Sequence, residues 1–388
     1  MKRWWRCVSS FSGKEDSSLN SVERINPKLR GYEDTTIRAT SALCKHYPLN
    51  GKPGIISRTV FGILLLLTLM SFSASCNKPE RSSASGPEEK VTIGVGSGGL
   101  SFPFIVAREK GFFLKEGLDA TIRFYPSGKK ALEAMFAGEV DSATLTETPI
   151  VLNSFMRDDF AVFATFAYSY NNSKVIGRKD RGVSKPADLK GKKIGFTART
   201  SSDFFIQVYL TEHQIDAAAV KLVDIPPPDL SGALKDGRVD AVATFEPYAS
   251  EAMNALSDKA IRLPGSTLYK ETFNLAVMRS YTKTRPDLLK KVLKSIERSI
   301  KFIKQNRDES VAVMIKSLES GENLSASIQD DLVFELSLDH SMLTIMEDEA
   351  RWAIKNRFTD KIKVPNYLGY FYLDAMKAVK PDTVTIIK

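Results

Sequence analysis

Two short stretches that lie 99 positions apart, GEVDS at 138–142 and GRVDA at 237–241, follow one pattern. In each stretch, a glycine that can end a helix precedes a tight turn and the start of an apolar strand. A second pair of segments, shifted by 101 positions, aligns Ile93 and Gly94 with Ile194 and Gly195. Because two segments repeat at nearly one offset, the sequence predicts two related α/β lobes that face each other across a cleft.

Short apolar runs alternate with helical patterns on both sides of this repeat. The predicted strands are 91–95, 120–125, 142–146, 193–196, 221–225 and 241–245. The predicted helices are 104–116, 129–137, 149–155, 204–213 and 230–235. Strands that alternate with helices form βαβ units, so we expect mostly parallel sheets flanked by helices. From residue 287 onward the apolar spacing predicts a chiefly helical C-terminal region.

The charge of the chain is concentrated near its beginning. The 388 residues hold 55 Lys+Arg and 46 Asp+Glu, a net charge of +9 that would suit a nucleic acid or an anionic membrane. Residues 1–75 hold eleven basic and five acidic side chains, which leaves a net charge of +3 for residues 76–388. We therefore expect no nucleic-acid partner.

An apolar run, VFGILLLLTLMSF at 60–72, follows the basic residues Lys52 and Arg58 and precedes small residues and Cys76. The run is short for a helix that spans a membrane and has the layout of an export signal. The stretch SASC at 73–76 resembles the lipobox of bacterial lipoproteins, although Ser73 stands where that motif usually has Leu. The resemblance implies cleavage before Cys76 and lipidation of its sulfur. Ordinary secretory cleavage and an uncleaved anchor remain open alternatives.

These features predict the domain organisation. Residues 1–75 are an extension plus an export signal that is removed, with translation expected to start nearer Ile55, and 76–90 are a flexible tether. Lobe 1 comprises 91–175 and 265–388, and lobe 2 comprises 176–264, with crossings between them near 173–180 and 263–267. The mature chain keeps one cysteine, Cys76, which excludes an internal disulfide and cysteine-based metal sites.

Three groups of motifs carry a family resemblance: DLKGKKIG at 188–195 with TSS at 200–202, GRVDA leading to FEPY at 245–248, and EKGFF at 109–113 with EGL at 116–118. Over about 90–388 the chain resembles the periplasmic substrate-binding components of ABC transporters for nitrate, sulfonates, taurine and thiamine-precursor pyrimidines. Phe245 stands where that family often has Trp.

The resemblance implies a two-lobed periplasmic-binding-protein fold of type II, whose lobes close on a small molecule about a hinge. The implied partners are the membrane permease and the ATPase of an ABC importer, and the protein would be a monomer without a cofactor. It would be exported, on the periplasmic or cell-surface side, and anchored to a membrane by lipidated Cys76.

The resemblance also places the ligand pocket on the loops that follow the strands. The expected ligand-binding residues are Ser97, Gly98, Ser101, Ser127, Thr146, Glu147, Tyr168, Arg199, Thr200, Ser201, Ser202, Phe245 and Glu246. Asn274 is a weaker polar candidate.

The residue types leave the charge of the ligand open. Arg199 and the helix start at 200–202 favour an anion, unless Ser202 only caps the helix and Arg199 lies in solvent. Glu147 and Glu246 suit an amine or a ring nitrogen, unless each caps the helix that follows it. Tyr168, like the other aromatic residues near these loops, could stack on the ligand or belong to the core.

Other chemistry finds little support in the sequence. GVGSGG at 94–99 fits a dinucleotide-binding pattern but lacks the acidic residue about 20 positions later that would bind the ribose. The mature chain has two histidines, His213 and His340, and neither neighbours a metal-ligand or nucleophile pattern. We expect a transport protein without catalytic or metal-binding residues. The alternatives are a ligand sensor for a membrane signalling partner and a pyrimidine-synthase-like enzyme.

Overall fold

The computed structural model describes residues 88–318 and 332–387. These residues belong to one unit, 81–388. Within the described ranges, no helix is both long and apolar enough to cross a bilayer. The predicted export signal and Cys76 lie outside the described residues.

The secondary structure alternates as predicted through both halves of the chain. The strands are β1 (Glu89–Gly96), β2 (Leu118–Tyr125), β3 (Ser142–Leu145), β4 (Phe160–Ser169), β5 (Ser173–Arg178), β6 (Lys193–Phe196), β7 (Lys221–Asp224), β8 (Ala241–Phe245), β9 (Ala260–Arg262), β10 (Glu271–Met278) and β11 (Val333–Ser337). The α-helices are α1 (Phe102–Glu109), α2 (Phe112–Lys115), α3 (Gly128–Phe136), α4 (Glu147–Ser154), α5 (Ser201–Glu212), α6 (Leu230–Lys235), α7 (Tyr248–Leu256), α8 (Arg279–Thr284), α9 (Pro286–Gln305), α10 (Arg307–Leu318), α11 (Ser341–Lys355) and α12 (Asp374–Val379).

The strands form two sheets, which confirms the predicted two-lobed α/β class. The first sheet has the order β11-β4-β10-β3-β1-β2 and the second has the order β7-β6-β8-β5-β9. Each contains three parallel strands, β2-β1-β3 in the first and β7-β6-β8 in the second. Antiparallel strands extend both groups, because β5 and β10 enter their sheets from the other lobe without the long crossover that a parallel neighbour requires.

The internal repeat extends to individual hydrogen bonds. Asp141 Oδ2 accepts from the backbone N–H of Thr92 at 2.7 Å, and Asp240 Oδ2 accepts from that of Lys193 at 2.9 Å. Each aspartate thus ties the beginning of one central strand to the turn before the next. The glycine that precedes each turn, Gly138 or Gly237, has a φ of 75° or 73°, as expected for a residue that ends a helix.

The first crossing between the sheets lies earlier in the chain than expected. The chain leaves β4 at Ser169 and enters β5 at Ser173, so the predicted crossing at 173–180 is largely a strand. All six residues of β5 are buried. A strand buried on both faces lacks the alternation that would reveal it in a sequence. The chain returns to the first sheet between Arg262 and Glu271.

The C-terminal region is helical, as predicted, with the addition of β11. Helix α9 packs against α1 and α12. Its apolar face is buried through Leu288, Leu289, Val292, Leu293, Ile296 and Ile300. The first lobe therefore has the larger core, and the C-terminal helices complete it.

A cluster of acidic side chains is buried where α4 meets α11. Glu147 and Glu349 are both 0% exposed. Glu147 accepts hydrogen bonds from the Tyr269 hydroxyl at 2.5 Å and from the backbone N–H and hydroxyl of Thr272 at 2.9 and 2.7 Å. Burial raises the pKa of Glu147 from 4.5 to about 7, and the charge of Glu271 adds to this rise. Burial and the charge of Glu147 raise the pKa of Glu349 well above 4.5.

This cluster should make folding stability fall as the pH rises from about 5 to 7. Over that range the unfolded chain has lost the Glu147 proton while the folded protein still holds it, so the folded state is progressively disfavoured. Glu147→Gln should flatten this pH dependence, reducing the change in unfolding free energy between pH 5 and 7 by about 2 kcal/mol. Urea unfolding midpoints measured at several pH values test this. Glu133→Gln, at an exposed carboxylate on α3, is the matched control, and an unchanged slope in Glu147→Gln would contradict the account.

Candidate functional site

A small cavity lies between the two lobes. Its wall comes chiefly from the loops after β1, β2 and β3 in the first lobe and after β6 and β8 in the second. This is the carboxyl edge of the parallel strands, where ligands bind in open α/β sheets. The lining residues are Ser97, Gly99, Leu100, Ser127, Gly128, Lys129, Thr146, Pro149, Asn172, Thr200, Ser201, Phe245, Glu246, Glu271 and Phe273.

Three α-helices begin at the cavity wall. The residues before α3, α4 and α5, namely Ser127, Thr146 and Thr200, all line the cavity. The side chains of Thr146 and Thr200 do not cap the helices that they precede. Because the first N–H groups of a helix have no partner within it, this part of the wall presents hydrogen-bond donors and the positive ends of helix dipoles. Lys129, in the first turn of α3, adds an ammonium group.

The opposite charge comes from two buried glutamates. Glu246 is 4% exposed, and its Oε1 forms a salt bridge of 3.0 Å with Lys174 Nζ, which is equally buried. Its Oε2 accepts from the backbone N–H of Ser250 at 3.1 Å, so Glu246 both lines the cavity and caps α7. Both oxygens of the Glu246 carboxylate therefore have partners within the protein.

Glu271 differs from Glu246 in its hydrogen bonding. Its Oε2 accepts from Asn172 Nδ2 and from Ser173 Oγ, each at 3.0 Å. Within the described ranges its Oε1 has no hydrogen-bond partner, although it is buried. Burial raises the pKa of Glu271, and the nearby hydroxyl of Ser201 and the charge of Lys174 oppose the rise. The Glu271 carboxylate is therefore held by Asn172 and Ser173 and lies beside the hydroxyl of Ser201 at the start of α5.

The two lobes touch around the cavity. Lys129 Nζ of the first lobe donates to the Ala198 carbonyl of the second at 3.2 Å. The Tyr248 hydroxyl of the second lobe donates to the Pro126 carbonyl of the first at 3.0 Å. Gly98 lies so close to Glu246 that a Cβ on it would be 2.4 Å from the Glu246 carbonyl oxygen. The lobes are therefore closed on each other at the cavity mouth.

The structure brings part of the predicted site together. The predicted residues that line the cavity are Ser97, Ser127, Thr146, Thr200, Ser201, Phe245 and Glu246. Three others, Gly98, Ser101 and Ser202, lie in the same loops and shape them. Ser101 Oγ donates to the Gly98 carbonyl at 2.8 Å, and Ser202 Oγ donates to the Thr197 carbonyl at 3.2 Å.

The remaining predicted residues do not line the cavity. Glu147 belongs to the buried acidic cluster described above, and Tyr168 packs edge-on against Tyr170, with Lys270 Nζ over its ring. Arg199 adopts a left-handed backbone conformation with a φ of 62°, and its N–H donates to Asp203 Oδ2 at 2.8 Å. This left-handed turn lies directly before α5, which begins at Ser201.

Asn274, the weaker candidate, lies in the first sheet. It is 0% exposed and is bonded to Thr165 and Thr272.

Sequence reasoning missed several residues that carry the site's charge and shape. They are Lys129, Asn172, Lys174, Glu271 and Phe273. Glu271 and Asn172 lie where the chain crosses between the lobes, so polar residues beside a predicted crossing were the available signal. Lys174 had a weaker signal, since it is the one charged residue near the start of an otherwise apolar strand.

Proteins named as sulfonate- or taurine-binding are similar in sequence to part of this chain. A "Putative aliphatic sulfonates-binding protein" of Bacillus subtilis is 24% identical over 288 residues, which cover 70% of this chain and 86% of the relative. The taurine-binding periplasmic protein of Escherichia coli is 25% identical over 199 residues, which cover 50% of this chain and 60% of that protein.

Solved structures share the fold. The alkanesulfonate-binding protein SsuA from Xanthomonas axonopodis, bound to MOPS, matches 74% of this chain and all of its own, with a TM-score of 0.64 and 15% identity. The desulfurization enzyme DSZB matches less well, with a TM-score of 0.52 over 75% of this chain at 15% identity. These likenesses confirm the periplasmic-binding-protein fold.

The sequence profile of the NMT1/THI5-like family matches residues 101–310, more than half of the chain. This segment contains both parallel strand groups apart from β1, and nearly all of the cavity wall. The chain therefore belongs to the NMT1/THI5-like family.

Proposed function

We propose that this chain is an exported solute-binding protein that closes its two lobes on a small sulfonate-like anion or zwitterion. It delivers the ligand to the permease and ATPase of an ABC importer. The observation that carries the proposal is the convergence of three helix N-termini and Lys129 on one interlobe cavity. The relatives named for sulfonates and taurine support the same ligand class. Each chain holds both lobes, so a monomer suffices for this function.

Anion binding follows from the wall of the cavity. Sulfonate oxygens accept several hydrogen bonds at once, and the uncapped N–H groups of α4 and α5 supply donors from both lobes. Lys129 adds a charge beside these donors. Since donors from both lobes converge only when the lobes meet, a bound anion favours the closed state and shifts the equilibrium toward it.

An enzymatic role has less support. No cysteine falls within the described ranges, and no cluster of His, Asp or Glu there could hold a metal ion. His213 packs on Tyr209 with a ring-centroid distance of 4.4 Å, away from the cavity. The relatives from Bacillus subtilis and Escherichia coli are named as binding proteins.

Closure can be tested at Gly98. Gly98→Ala should weaken binding of taurine or ethanesulfonate by about tenfold or more, because the new methyl group would meet the Glu246 carbonyl when the lobes close. Gly111→Ala is the matched control. Gly111 has nearly the same φ, 65° against 67°, and a Cβ there meets nothing within 4 Å. Calorimetry on the full chain in mild detergent measures both affinities. Equal losses in the two variants would contradict closure at Gly98.

The proposed anion contact can be tested with variants of two cationic side chains, Lys129 and Arg199. Lys129→Gln should weaken ethanesulfonate binding by about tenfold or more, which is the range expected for a hydrogen bond to a charged group. Arg199→Gln removes an equal charge from a residue that does not line the cavity and should leave the affinity nearly unchanged. A larger loss in Arg199→Gln than in Lys129→Gln would reverse the assignment.

We also propose that Cys76 carries a lipid anchor after cleavage of the export signal. Cys76→Ser should move the protein from the membrane fraction to the soluble fraction, because one unlipidated tether provides no apolar group to hold it there. Immunoblotting of the two cell fractions measures this. Retention of the variant in the membrane fraction would favour an uncleaved helix at 60–72 instead.

A further inference from the structure

We propose that Phe204 and Trp352 are positioning residues for ligand binding, because their contact outside the cavity holds the start of α5 against the first lobe. This inference rests on the proposed function and deepens it, since it concerns how the closed state of the same site is stabilised. We call the pair Phe204 and Trp352 the aromatic clasp. Neither residue is among those that line the cavity.

The aromatic clasp joins two separate hydrophobic cores. Trp352, on α11, packs against the core that contains the first sheet, and Phe204, on α5, packs against the core that contains β6 and α5. The centroids of the two rings are 5.3 Å apart, and the ring planes make an angle of 76°. Aromatic pairs favour this edge-to-face arrangement, because the positive edge of one ring then meets the negative face of the other. The clasp is therefore a favourable contact between the lobes that is made entirely by protein groups.

The position of Phe204 links the aromatic clasp to the cavity. Thr200 and Ser201 line the cavity, and Phe204 lies about one helical turn after Thr200. On the first-lobe side, α5 packs against α4, and Thr146 before α4 also lines the cavity. A rotation that opens the cavity separates Thr200 from Thr146. Because a helix moves as a rigid element, the same rotation draws Phe204 away from Trp352, so opening loses the clasp contact.

Neighbouring side chains hold both rings of the aromatic clasp. The ring of Tyr269 lies 5.5 Å from that of Phe204, and its hydroxyl donates to Glu147 of α4. The ring of Phe358 lies 4.8 Å from that of Trp352 on the first-lobe side. The buried Nε1–H of Trp352 has no hydrogen-bond partner in the part of the chain that the structure describes, so packing positions this ring. The two rings are therefore preorganised for their contact across the lobes.

The aromatic clasp should strengthen ligand binding without selecting among ligands. Its contact forms when the lobes close, so its loss destabilises the closed state relative to the open state. Because Phe204 and Trp352 do not line the cavity, their side chains meet no part of a bound ligand. We therefore expect one common factor of weakening for every ligand that the closed cavity holds.

Phe204→Leu tests the aromatic clasp, and Phe358→Leu is the matched control, because it removes a ring that packs on Trp352 within the first lobe. Calorimetry on the full chain in mild detergent would measure taurine and ethanesulfonate. We expect Phe204→Leu to weaken both by about three- to tenfold, the factor that corresponds to one aromatic pair, and Phe358→Leu to weaken them by less than about twofold. Equal losses in the two variants, or a loss for one probe alone, would overturn the inference.

A double-mutant cycle tests whether the two residues act through one contact. Trp352→Leu removes the clasp from the other side, and the Nε1–H that it deletes has no partner among the described residues. If the contact is shared, Phe204→Leu with Trp352→Leu should bind the probes no more weakly than the weaker single variant. Losses that add in the double variant would show two independent packing effects and would contradict the aromatic clasp.

Hydrogen exchange gives a second measurement that needs no ligand. In the unliganded full chain, Phe204→Leu should make the backbone amides of 200–204 exchange about threefold or more faster, because the start of α5 then leaves the first lobe more often. Amides of α9, which packs in the first-lobe core, should exchange as in the unaltered protein. A uniform increase in both segments would show a loss of global stability instead and would overturn the inference.

The outcomes separate this inference from the proposed function. If neither probe binds the unaltered protein, the sulfonate proposal falls, and exchange at the start of α5 decides the role of the aromatic clasp. If both probes bind and the variants of Phe204 and Trp352 hold them as tightly as the unaltered protein, sulfonate binding stands and the clasp falls.

Discussion

The salt bridge between Lys174 and Glu246 governs the character of the cavity. Both side chains are 4% exposed, so each charge depends on the other. Removing one partner of such a pair typically costs about 3–5 kcal/mol, because the other is left buried and uncompensated. The charge of Lys174 also acts on the neighbouring Glu271, where it opposes the rise in pKa that burial causes. The net charge of the site thus depends on one buried ammonium that acts on two carboxylates.

The polar groups on the cavity wall have two origins. The helix starts arise from the repeat itself, because each copy places a helix start after a parallel strand, and the starts of α3, α4 and α5 meet at one cavity. Asn172 and Glu271 lie outside the repeat, where the chain crosses between the lobes.

The repeat explains why much of the fold was predictable from the sequence. GEVDS and GRVDA form the same turn and the same aspartate hydrogen bonds, so the repeated sequence pattern indicates the repeated architecture directly. The site was harder to predict because its decisive charges lie on β5 and at the start of β10, in strands that are buried on both faces. Glu147 and Glu246 occupy equivalent positions, yet only tertiary packing decides that Glu147 belongs to the core and Glu246 to the cavity.

A crystal structure of the protein with taurine would test the central claim most directly. The account predicts one taurine in the interlobe cavity. Its sulfonate would accept from the first N–H groups of α4 and α5. Taurine bound outside the cavity, or a sulfonate that contacts neither helix start, would contradict the account.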